Sequence, residues 1–332
     1  MPEPRVTVII PCRNESRFIA GALESLVDDY VFRHGEVLVV DGLSQDGTPE
    51  IVRSFIDRGY PLRLVENPHR LQVFGLNIGI EEARGEFIVR ADAHALYPPG
   101  YIRRCVGLLE KTGAENVGGV MAPEGETNVQ QAIALAMQHP LGVGDARFHL
   151  GDRSGEVDTV YLGAFRRDVF DRVGPFDTRC RTNEDAELNL RILKGGGRIY
   201  LDSGLKVRYF PRRSLKELAV QYFRYGQGRC YTTLKHRRLT SWRQVLPVLF
   251  VPGLIASLII ALWRPLFVLF PAAYLVVTLL TALLSWPRRK IPIAQRLVLG
   301  AAFPVMHLSW GTGFWHGLAF RRPERPGKGS RG

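Results

Sequence analysis

The C-terminal third of the chain contains two long stretches without a charged side chain. They cover residues 245–263 and 266–286, and only Arg264 and Pro265 separate them. Each is about long enough to span the ~30 Å hydrocarbon core of a bilayer, whereas a core helix of a soluble domain is rarely uncharged for so long. We therefore predict a helical hairpin within a membrane region at 245–320. A third stretch, 297–320, contains Pro304 and several glycines and is predicted to span or to re-enter.

The formal net charge of +12 is concentrated at the same end of the chain. Residues 245–332 contain ten Lys or Arg against one acid, Glu324, which gives +9 and leaves +3 for the first 244 residues. A nucleic-acid-binding protein carries its basic patch on the folded domain, but here the cations flank apolar runs. We therefore expect a membrane with anionic lipids as a partner, and no nucleic acid.

Basic clusters on both sides of the hairpin predict its orientation. Positive charge stays on the cytoplasmic side of a membrane. Clusters lie before the first apolar run and after the second, at Lys235, Arg237, Arg238, Arg243, Arg288, Arg289 and Lys290. No apolar stretch suited to a signal peptide precedes the first strand-like segment. The prediction is a multi-pass protein of the inner (plasma) membrane with a cytoplasmic domain at 1–230, a basic juxtamembrane segment at 231–244 and a disordered basic tail at 321–332.

Residues 1–230 alternate between short β-rich runs and helical patterns. This order predicts an α/β fold with a mostly parallel sheet and helices on both faces. Strands are predicted at 6–10, 37–40, 63–65, 87–89, 117–121, 159–165, 198–201 and 207–210, and helices at 18–27, 49–56, 73–83, 101–109, 185–193 and 214–231. The region 122–157 is less regular, with a possible helix at 129–138, and we expect mobile acceptor-side loops there. In such folds ligands bind beyond the carboxyl ends of the strands.

The segment after the strand at 37–40 suits a nucleotide. It begins with Asp41, continues through small residues to Asp46, and turns into a helix at Thr48 and Pro49. A carboxylate at the end of a strand can accept hydrogen bonds from a base or a ribose, and small residues let the backbone approach. The structural alternative for Asp41 is a β–α loop closed by Asx-type turns.

Asp92 and His94 follow the next strand but one and are predicted to lie at the same edge of the sheet. A divalent cation held by Asp92 and His94 would neutralise the diphosphate of a leaving nucleotide. Imidazole favours Mn²⁺, and Mg²⁺ is the alternative. The structural alternative for His94 is a polar loop residue without a ligand role.

Two carboxylates, Glu184 and Asp185, begin an apolar-periodic helix. One of them could deprotonate an attacking sugar hydroxyl, and we assign that role to Asp185. The structural alternative is that both acids complement the helix dipole, with Thr182 or Asn183 as the cap.

Gln221, Arg224 and Tyr225 are spaced to share one face of the helix that precedes the apolar runs. An amide, a guanidinium and an aromatic ring together can bind diphosphate oxygens and stack on a sugar of the acceptor. The structural alternative is an interfacial helix whose aromatic side chains face lipid.

The order and spacing of these motifs over about residues 5–230 resemble the family 2 glycosyltransferases with the GT-A fold. The motifs that carry the resemblance are Pro11, Asn14 and Glu15; Asp41 and Asp46; Asn77, Gly79, Ala83, Arg84 and Gly85, leading to Asp92; Gly163, Phe165 and Arg166; Gly174, Phe176 and Asp177; and Glu184 with Asp185. The resemblance implies a nucleotide-sugar site formed by Pro11, Arg13, Glu15, Asp41, Asp46, Asn77, Arg84 and Asp92.

Two positions depart from the family pattern. His94 stands where the second metal-motif aspartate would be, and Tyr225 stands where a Q-x-x-R-W motif has tryptophan. With the apolar hairpin, these features look most like glucosyltransferases of succinoglycan-type exopolysaccharide assembly. The resemblance implies inverting transfer of glucose from a UDP-sugar, with Asp185 as base, to a polyprenyl-diphosphate-linked saccharide.

Three alternatives stay open at the level of sequence. A processive polysaccharide synthase shares the fold and the base but needs a pore, which two or three helices are few to enclose. A polyprenyl-phosphate glycosyltransferase would use a phosphate as acceptor. A non-catalytic membrane sensor of nucleotide sugars is the remote alternative, motivated by His94.

Overall fold

A computed structural model describes residues 3–151, 153–237, 244–285 and 291–320. The predicted basic residues at 238, 243 and 288–290 and the predicted disordered tail at 321–332 lie outside the described residues.

Strands and helices alternate through the N-terminal region as predicted, apart from two short elements, Asp29–His34 and Ala95–Leu96, that the sequence did not indicate. Up to residue 123 the elements are β1 (Val6–Cys12), α1 (Ile19–Leu26), α2 (Asp29–His34), β2 (Gly35–Asp41), α3 (Thr48–Asp57), β3 (Leu62–Glu66), α4 (Gln72–Glu82), β4 (Phe87–Arg90), β5 (Ala95–Leu96), α5 (Tyr101–Thr112) and β6 (Asn116–Pro123). They are followed by α6 (Asn128–Ala136), α7 (Pro140–Val143), α8 (Arg147–Leu150), β7 (Gly155–Glu156), β8 (Tyr161–Arg166), α9 (Asp168–Val173), α10 (Glu184–Lys194), β9 (Ile199–Tyr209) and α11 (Leu215–His236).

The strands form one sheet in the order β3-β2-β1-β4-β8-β6-β9-β5, with β7 paired to β9. Strands β1 to β4 are parallel, whereas β8 runs antiparallel to both of its neighbours, β4 and β6. The α/β prediction is confirmed, and the sheet is mixed and mostly parallel.

Strand β1 illustrates how the sheet is buried on both faces. Val8 and Ile10 pack in one core with Leu23 of α1, while Ile9 packs in a second core with Leu76 of α4. Successive side chains of a strand point to opposite faces, so an apolar run of this kind requires helices on both sides.

Two predicted features of the C-terminal half of the sheet differ from the structure. The predicted strands at 198–201 and 207–210 are one strand, β9, which stays paired with β6 through a shift of register between Gly118 and Val120. Such a bulge lets a strand bend without ending. The region 122–157 contains three short helices and β7 as well as loops.

Three apolar helices complete the described chain: α12 (Val245–Ala261), α13 (Leu269–Leu284, preceded by the 3₁₀ turn Pro265–Val268) and α14 (Ile293–Ala319). The segments Pro265–Leu284 and Ile293–Ala319 are long and apolar enough to cross a membrane, whereas α12 has 17 residues. Helix α14 continues through Pro304 without a break, and the assignment of 297–320 as spanning or re-entrant stays a prediction.

Glycines allow α11 and α14 to pack at close range. A Cβ atom on Gly226 of α11 would lie 2.0 Å from the carbonyl oxygen of Trp310, and one on Gly313 of α14 would lie 2.0 Å from the carbonyl oxygen of Phe223. Because both obstacles are backbone atoms, they cannot rotate away. The separation of these two helices therefore requires glycine at both positions.

We expect Gly226→Ala to destabilise the protein by about 1–3 kcal/mol, because the added methyl group forces α11 and α14 apart. The matched control is Gly107→Ala in α5, where a Cβ atom meets nothing within 4 Å. That change should be neutral or stabilising by up to about 1 kcal/mol. Thermal unfolding in detergent measures both, and equal stability of the two variants would contradict the packing.

Candidate active site

The candidate site lies where β1 and β4 end side by side. The strand order reverses here, since β2 and β3 lie on one side of β1 and β4 lies on the other. Ligands of open α/β sheets bind at such a switch point. Glu15 follows β1, His94 follows β4, and the His94 Nδ1 donates to a Glu15 carboxylate oxygen at 3.1 Å.

The loops after β1 and β2 are held together by side chains that the nucleotide prediction singled out. Asp41 is buried and accepts hydrogen bonds from the Ser44 backbone N–H at 2.9 Å and the Ser44 hydroxyl at 2.5 Å. The Ser44 hydroxyl oxygen in turn accepts from the Asn14 backbone N–H at 2.8 Å. The Asx-type turn proposed as the structural alternative for Asp41 is therefore present.

Asp46 links the same two loops. Its carboxylate accepts from the Ser16 backbone N–H at 3.0 Å and from the Thr48 hydroxyl at 2.5 Å. Desolvation raises the pKa of Asp46, but the hydrogen bonds from Thr48 and Ser16 together outweigh it and lower the pKa to about 2. Through these hydrogen bonds, the Asp46 carboxylate holds the loop after β1 against the loop after β2.

Arg90, the last residue of β4, connects the two carboxylate motifs. Its guanidinium lies 2.9 Å from a Glu184 oxygen and 3.5 Å from an Asp92 oxygen. Burial raises the pKa of the Glu184 carboxyl, although the Arg90 charge opposes that shift. A buried charge is tolerated when it is paired. The Glu184 carboxylate is therefore engaged in an ion pair with Arg90.

Asp185 is placed differently from its neighbour. It is only half-buried, and one of its oxygens accepts from the Ala186 backbone N–H at 2.7 Å. Burial raises the pKa of the Tyr225 phenol, and the charge of Asp185 adds to that effect. Of the two predicted catalytic carboxylates, Asp185 is the one without a cationic partner among the described residues.

Helix α11 fixes the loop that carries these carboxylates. The Thr182 hydroxyl donates to the Arg224 carbonyl oxygen at 2.9 Å, and the Asn183 amide donates to the Tyr225 carbonyl oxygen at 2.8 Å. A Cβ atom on Gly228 would lie 2.5 Å from the Thr182 carbonyl oxygen. The approach of α11 to the start of α10 therefore requires glycine at position 228.

The predicted acceptor residues on α11 are only partly brought together. The Gln221 amide is buried and donates to the Tyr225 hydroxyl at 2.8 Å and to the Tyr209 hydroxyl at 3.1 Å. Its carbonyl oxygen has no partner among the described residues, and the same holds for the buried Tyr161 hydroxyl. Arg224 is exposed and its side chain is not part of this cluster.

The chemistry of Asp92 and His94 fits a divalent cation. A histidine that ligates a metal through one nitrogen usually donates its other N–H to a carboxylate, and Glu15 supplies that carboxylate at 3.1 Å. Burial lowers the pKa of His94, but the Glu15 hydrogen bond and the Asp92 charge outweigh it and raise the pKa overall. The described residues contain no cluster of three or more potential metal ligands, so an ion held by Asp92 and His94 would need its other ligands from a diphosphate and water.

Two residues that the resemblance assigned to nucleotide-sugar binding have other positions. Arg84 is exposed, and its backbone N–H donates to Glu36 near the start of β2. Arg84 therefore lies at the amino edge of the parallel strands, opposite the site, because β4 separates it from Asp92. Asn77 uses its amide N–H and carbonyl on the backbone of Phe176, at 2.8 and 2.9 Å, which braces the loop before α10.

The remaining assigned residues lie near the edge where the site forms. Pro11 is buried within β1, and a Cβ atom on Gly75 of α4 would lie 3.1 Å from it. Arg13 is exposed at the end of β1. Pro11 therefore contributes packing, and Arg13 is available to a ligand.

Sequence reasoning missed Arg90, Tyr161 and Tyr209. Arg90 carries a usable signal, because a charged residue at the end of a buried strand, two residues before Asp92, needs a carboxylate partner. Burial raises the pKa of Tyr161, and the nearby Asp92 charge acts in the same direction. The two tyrosines carry no local signal, because their proximity to Asp92 arises from pairing across the sheet.

Comparison with known proteins identifies the family. Residues 7–174 match the model of glycosyl transferase family 2. The succinoglycan biosynthesis protein ExoA of Rhizobium meliloti is 33% identical over 95% of this chain and 96% of its own length. A dolichyl N-acetyl-α-D-glucosaminyl phosphate 3-β-D-2,3-diacetamido-2,3-dideoxy-β-D-glucuronosyltransferase of Methanococcus voltae is 26% identical over 68% of this chain and 72% of its own length.

Solved structures show the same fold. The mannosyltransferase PcManGT from Pyrobaculum calidifontis, in complex with GDP-Man and Mn²⁺, is 25% identical with a TM-score of 0.58, covering 96% of this chain and 86% of that one. The S. aureus protein TarS (1–349) is 13% identical with a TM-score of 0.52, over 96% of this chain and 93% of that one, which supports the fold alone. The chain is a glycosyltransferase with the GT-A fold and belongs to glycosyl transferase family 2.

Proposed function

We propose that the protein transfers one glucose residue, with inversion, from UDP-glucose to a lipid-linked saccharide at the cytoplasmic face of the membrane, in exopolysaccharide or cell-envelope glycan synthesis. The observation that carries the proposal is the half-buried Asp185 at the start of α10, beside the Arg90–Glu184 pair and held by α11. The similarity to a succinoglycan biosynthesis protein over nearly the whole chain supports the biological context.

In the proposed reaction Asp185 accepts the proton of an acceptor hydroxyl. The acceptor oxygen then forms a bond to the anomeric carbon from the face opposite the diphosphate. The bond between that carbon and the diphosphate oxygen breaks, and the nucleoside diphosphate leaves with the electron pair. A positioned base contributes about 10²- to 10⁴-fold to such a step. Glu184 acts as a positioning residue. Its ion pair with Arg90 at 2.9 Å holds the start of α10, where Asp185 is the next residue.

Asp92 and His94 would hold the cation, with Glu15 orienting the imidazole ring. A bound Mn²⁺ or Mg²⁺ supplies charge stabilisation to the departing diphosphate. Among the described residues, the side-chain contacts of Asp92, to Arg90 at 3.5 Å and Gln72 at 3.4 Å, both involve Oδ1, which leaves Oδ2 for this role.

Two observations support a lipid-linked saccharide as the acceptor. The Methanococcus voltae relative has a dolichyl phosphate-linked sugar in its name, and the apolar helix α14 packs directly on α11, which carries Gln221 and Tyr225. Three apolar helices are few to enclose a polar channel through lipid, which favours transfer of a single sugar over processive synthesis.

The donor is the first quantity to measure. We expect detergent-purified protein with lipid extract and Mn²⁺ to release nucleotide from UDP-glucose faster than from other UDP- and GDP-sugars. GDP-mannose is the competing donor, because the structural relative PcManGT was solved with it. Preference for GDP-mannose would mean that GDP-mannose, and not UDP-glucose, is the donor. Absence of both turnover and binding with every donor would contradict the proposed transfer activity.

Asp185→Asn should reduce kcat by about 10²- to 10⁴-fold, because the amide cannot accept the proton. The donor dissociation constant should stay within about threefold, since the proposed role of Asp185 concerns the acceptor. Asp171→Asn, an exposed acid on α9, is the matched control and should keep full activity. Unchanged transfer by Asp185→Asn would refute the assigned base.

His94→Ala should raise the Mn²⁺ concentration required for half-maximal activity by about 10- to 100-fold, because one of two protein ligands is lost. His94→Asp, which restores a carboxylate ligand, should recover most of that loss. His34→Ala, at the opposite edge of the sheet, is the control. The metal site is wrong as assigned if the Mn²⁺ titrations of His94→Ala and wild type coincide.

A further inference from the structure

Tyr161, the first residue of β8, lies at an irregularity of the sheet. The pairing of β6 with β8 shifts register between Val117 and Gly119, and Gly119 is the residue opposite Tyr161. Leu162 has a φ of 51°, in the left-handed region that bulky residues rarely adopt. Side chains of a regular strand alternate between its faces, but Tyr161 and Leu162 pack in the same core. The bulge therefore turns Tyr161 away from the direction that a regular strand would give it.

Neighbouring elements hold this irregular backbone in place. The Tyr101 hydroxyl of α5 donates to the Leu162 carbonyl oxygen at 3.2 Å. A Cβ atom on Gly118 of β6 would lie 2.7 Å from the Tyr161 carbonyl oxygen, so the close approach of the two strands requires glycine there. Strained backbone persists only where its surroundings enforce it, and it is concentrated at functional sites. The direction of the Tyr161 side chain is thus a fixed feature of the sheet.

The Tyr161 hydroxyl is a buried hydrogen-bond donor without an acceptor. Tyr161 is 8% exposed, and its hydroxyl has no partner among the described residues. Burial and the nearby Asp92 charge both raise the pKa of the phenol, which therefore keeps its proton. Nearly all buried polar groups in folded proteins are hydrogen-bonded, because an unpaired one costs free energy. The Tyr161 hydroxyl is thus a candidate contact for a ligand.

A second unpaired group belongs to the same cluster of side chains. The rings of Tyr161 and Tyr209 pack edge to face, with 6.4 Å between their centroids. The Tyr209 hydroxyl accepts a hydrogen bond from the Gln221 amide at 3.1 Å. Gln221 is also 8% exposed, and its carbonyl oxygen has no partner in the described part of the chain. One cluster therefore contains an unpaired donor and an unpaired acceptor.

This cluster lies between the proposed cation site and the proposed base. The centroid of the Tyr209 ring is 6.1 Å from that of the His94 ring. The Gln221 amide also donates to the Tyr225 hydroxyl at 2.8 Å, and the charge of Asp185 acts on that phenol. In the proposed reaction the diphosphate departs at the cation and the acceptor hydroxyl attacks beside Asp185. The transferred sugar lies between them, and the cluster borders that place.

The hydrogen-bonding character of the two unpaired groups indicates which part of the donor they bind. A diphosphate oxygen can accept from the Tyr161 hydroxyl, but it has no proton to donate to the Gln221 carbonyl oxygen. A sugar hydroxyl both donates and accepts, so it can pair with either group. The pair of groups is therefore better suited to the hydroxyls of a sugar than to a diphosphate.

We propose that Tyr161 and Gln221 form the subsite that binds hydroxyl groups of the transferred sugar. The Tyr161 hydroxyl donates to a sugar oxygen, and the Gln221 carbonyl oxygen accepts from a sugar hydroxyl. Tyr161 is then a residue that determines donor specificity, because a sugar without the contacted hydroxyl leaves a buried polar group unpaired. This inference rests on the proposed sugar transfer and assigns Gln221 to the donor sugar instead of the acceptor or the diphosphate.

The test combines Tyr161→Phe with donor analogues in the detergent-purified full-length protein. The donor is the nucleotide sugar that the wild type turns over fastest, and each analogue lacks one hydroxyl of its sugar. Tyr161→Phe should lower kcat/KM for the complete donor by about 3- to 10-fold. One analogue should show a loss of similar size with the wild type and no further loss with Tyr161→Phe, because the contact is already absent. Independent, multiplicative losses for every analogue would overturn the proposal.

Thermal unfolding separates a sugar contact from a structural role. Tyr161→Phe should leave Tm unchanged or raise it, because no hydrogen bond to a described residue is lost. The matched control, Tyr101→Phe, removes the hydrogen bond to the Leu162 carbonyl oxygen. It should lower Tm by about 2–4 °C and keep kcat/KM within about threefold. A lowered Tm with unchanged kcat/KM for Tyr161→Phe would mean that the hydroxyl is structural, and would overturn the proposal.

Failure of the subsite and failure of the proposed function give different results. Multiplicative losses with an active enzyme reject the subsite and leave the transfer in place, whereas absence of turnover with every donor rejects both. If Tyr161→Phe does not fold, the wild type decides with the analogues alone. A loss of at least threefold for one analogue supports the subsite, and equal kcat/KM for the complete donor and every analogue contradicts it.

Discussion

The close packing of α11 against two neighbours is the contact on which the rest of the structure depends. On one side, Gly228 lets α11 reach the Thr182 carbonyl oxygen at the start of α10. On the other, Gly226 lets it reach the Trp310 carbonyl oxygen of α14. Backbone atoms cannot move aside as a flexible side chain can, so one helix fixes the position of both the Asp185 carboxylate and the apolar helices.

Arg90 is the second organising element, because it joins residues that are far apart in sequence. A buried guanidinium needs carboxylate partners, and Arg90 finds them in Asp92 after its own strand and in Glu184 at the start of α10. The loop proposed to hold the cation and the helix that carries Asp185 are therefore linked through one side chain. Loss of Arg90 would leave Glu184 as an unpaired buried charge.

Local patterns in the sequence were sufficient for the longer strands and helices and for the acidic residues at the strand ends, but not for the short elements α2, β5, α7, α8, β7 and α9. The position of Arg84 could not be read in the same way. It precedes Asp92 by only eight residues, but a strand lies between them and carries them to opposite edges of the sheet. The contact of Asn77 could not be predicted from local sequence either, because its partner Phe176 is 99 residues away. The continuity of β9 could not be predicted because it depends on a bulge in the pairing of β9 with β6.

The thickness of α11 has a consequence for the acceptor. Tyr225 contacts the candidate site and Gly226 contacts α14, and a helix with its side chains is about 10–12 Å across. The candidate site and helix α14 are thus about one helix diameter apart. For an acceptor carried on a lipid, this spacing would select the length of the saccharide. A saccharide of matching length would place its terminal hydroxyl at Asp185, and a longer one would place that hydroxyl beyond Asp185.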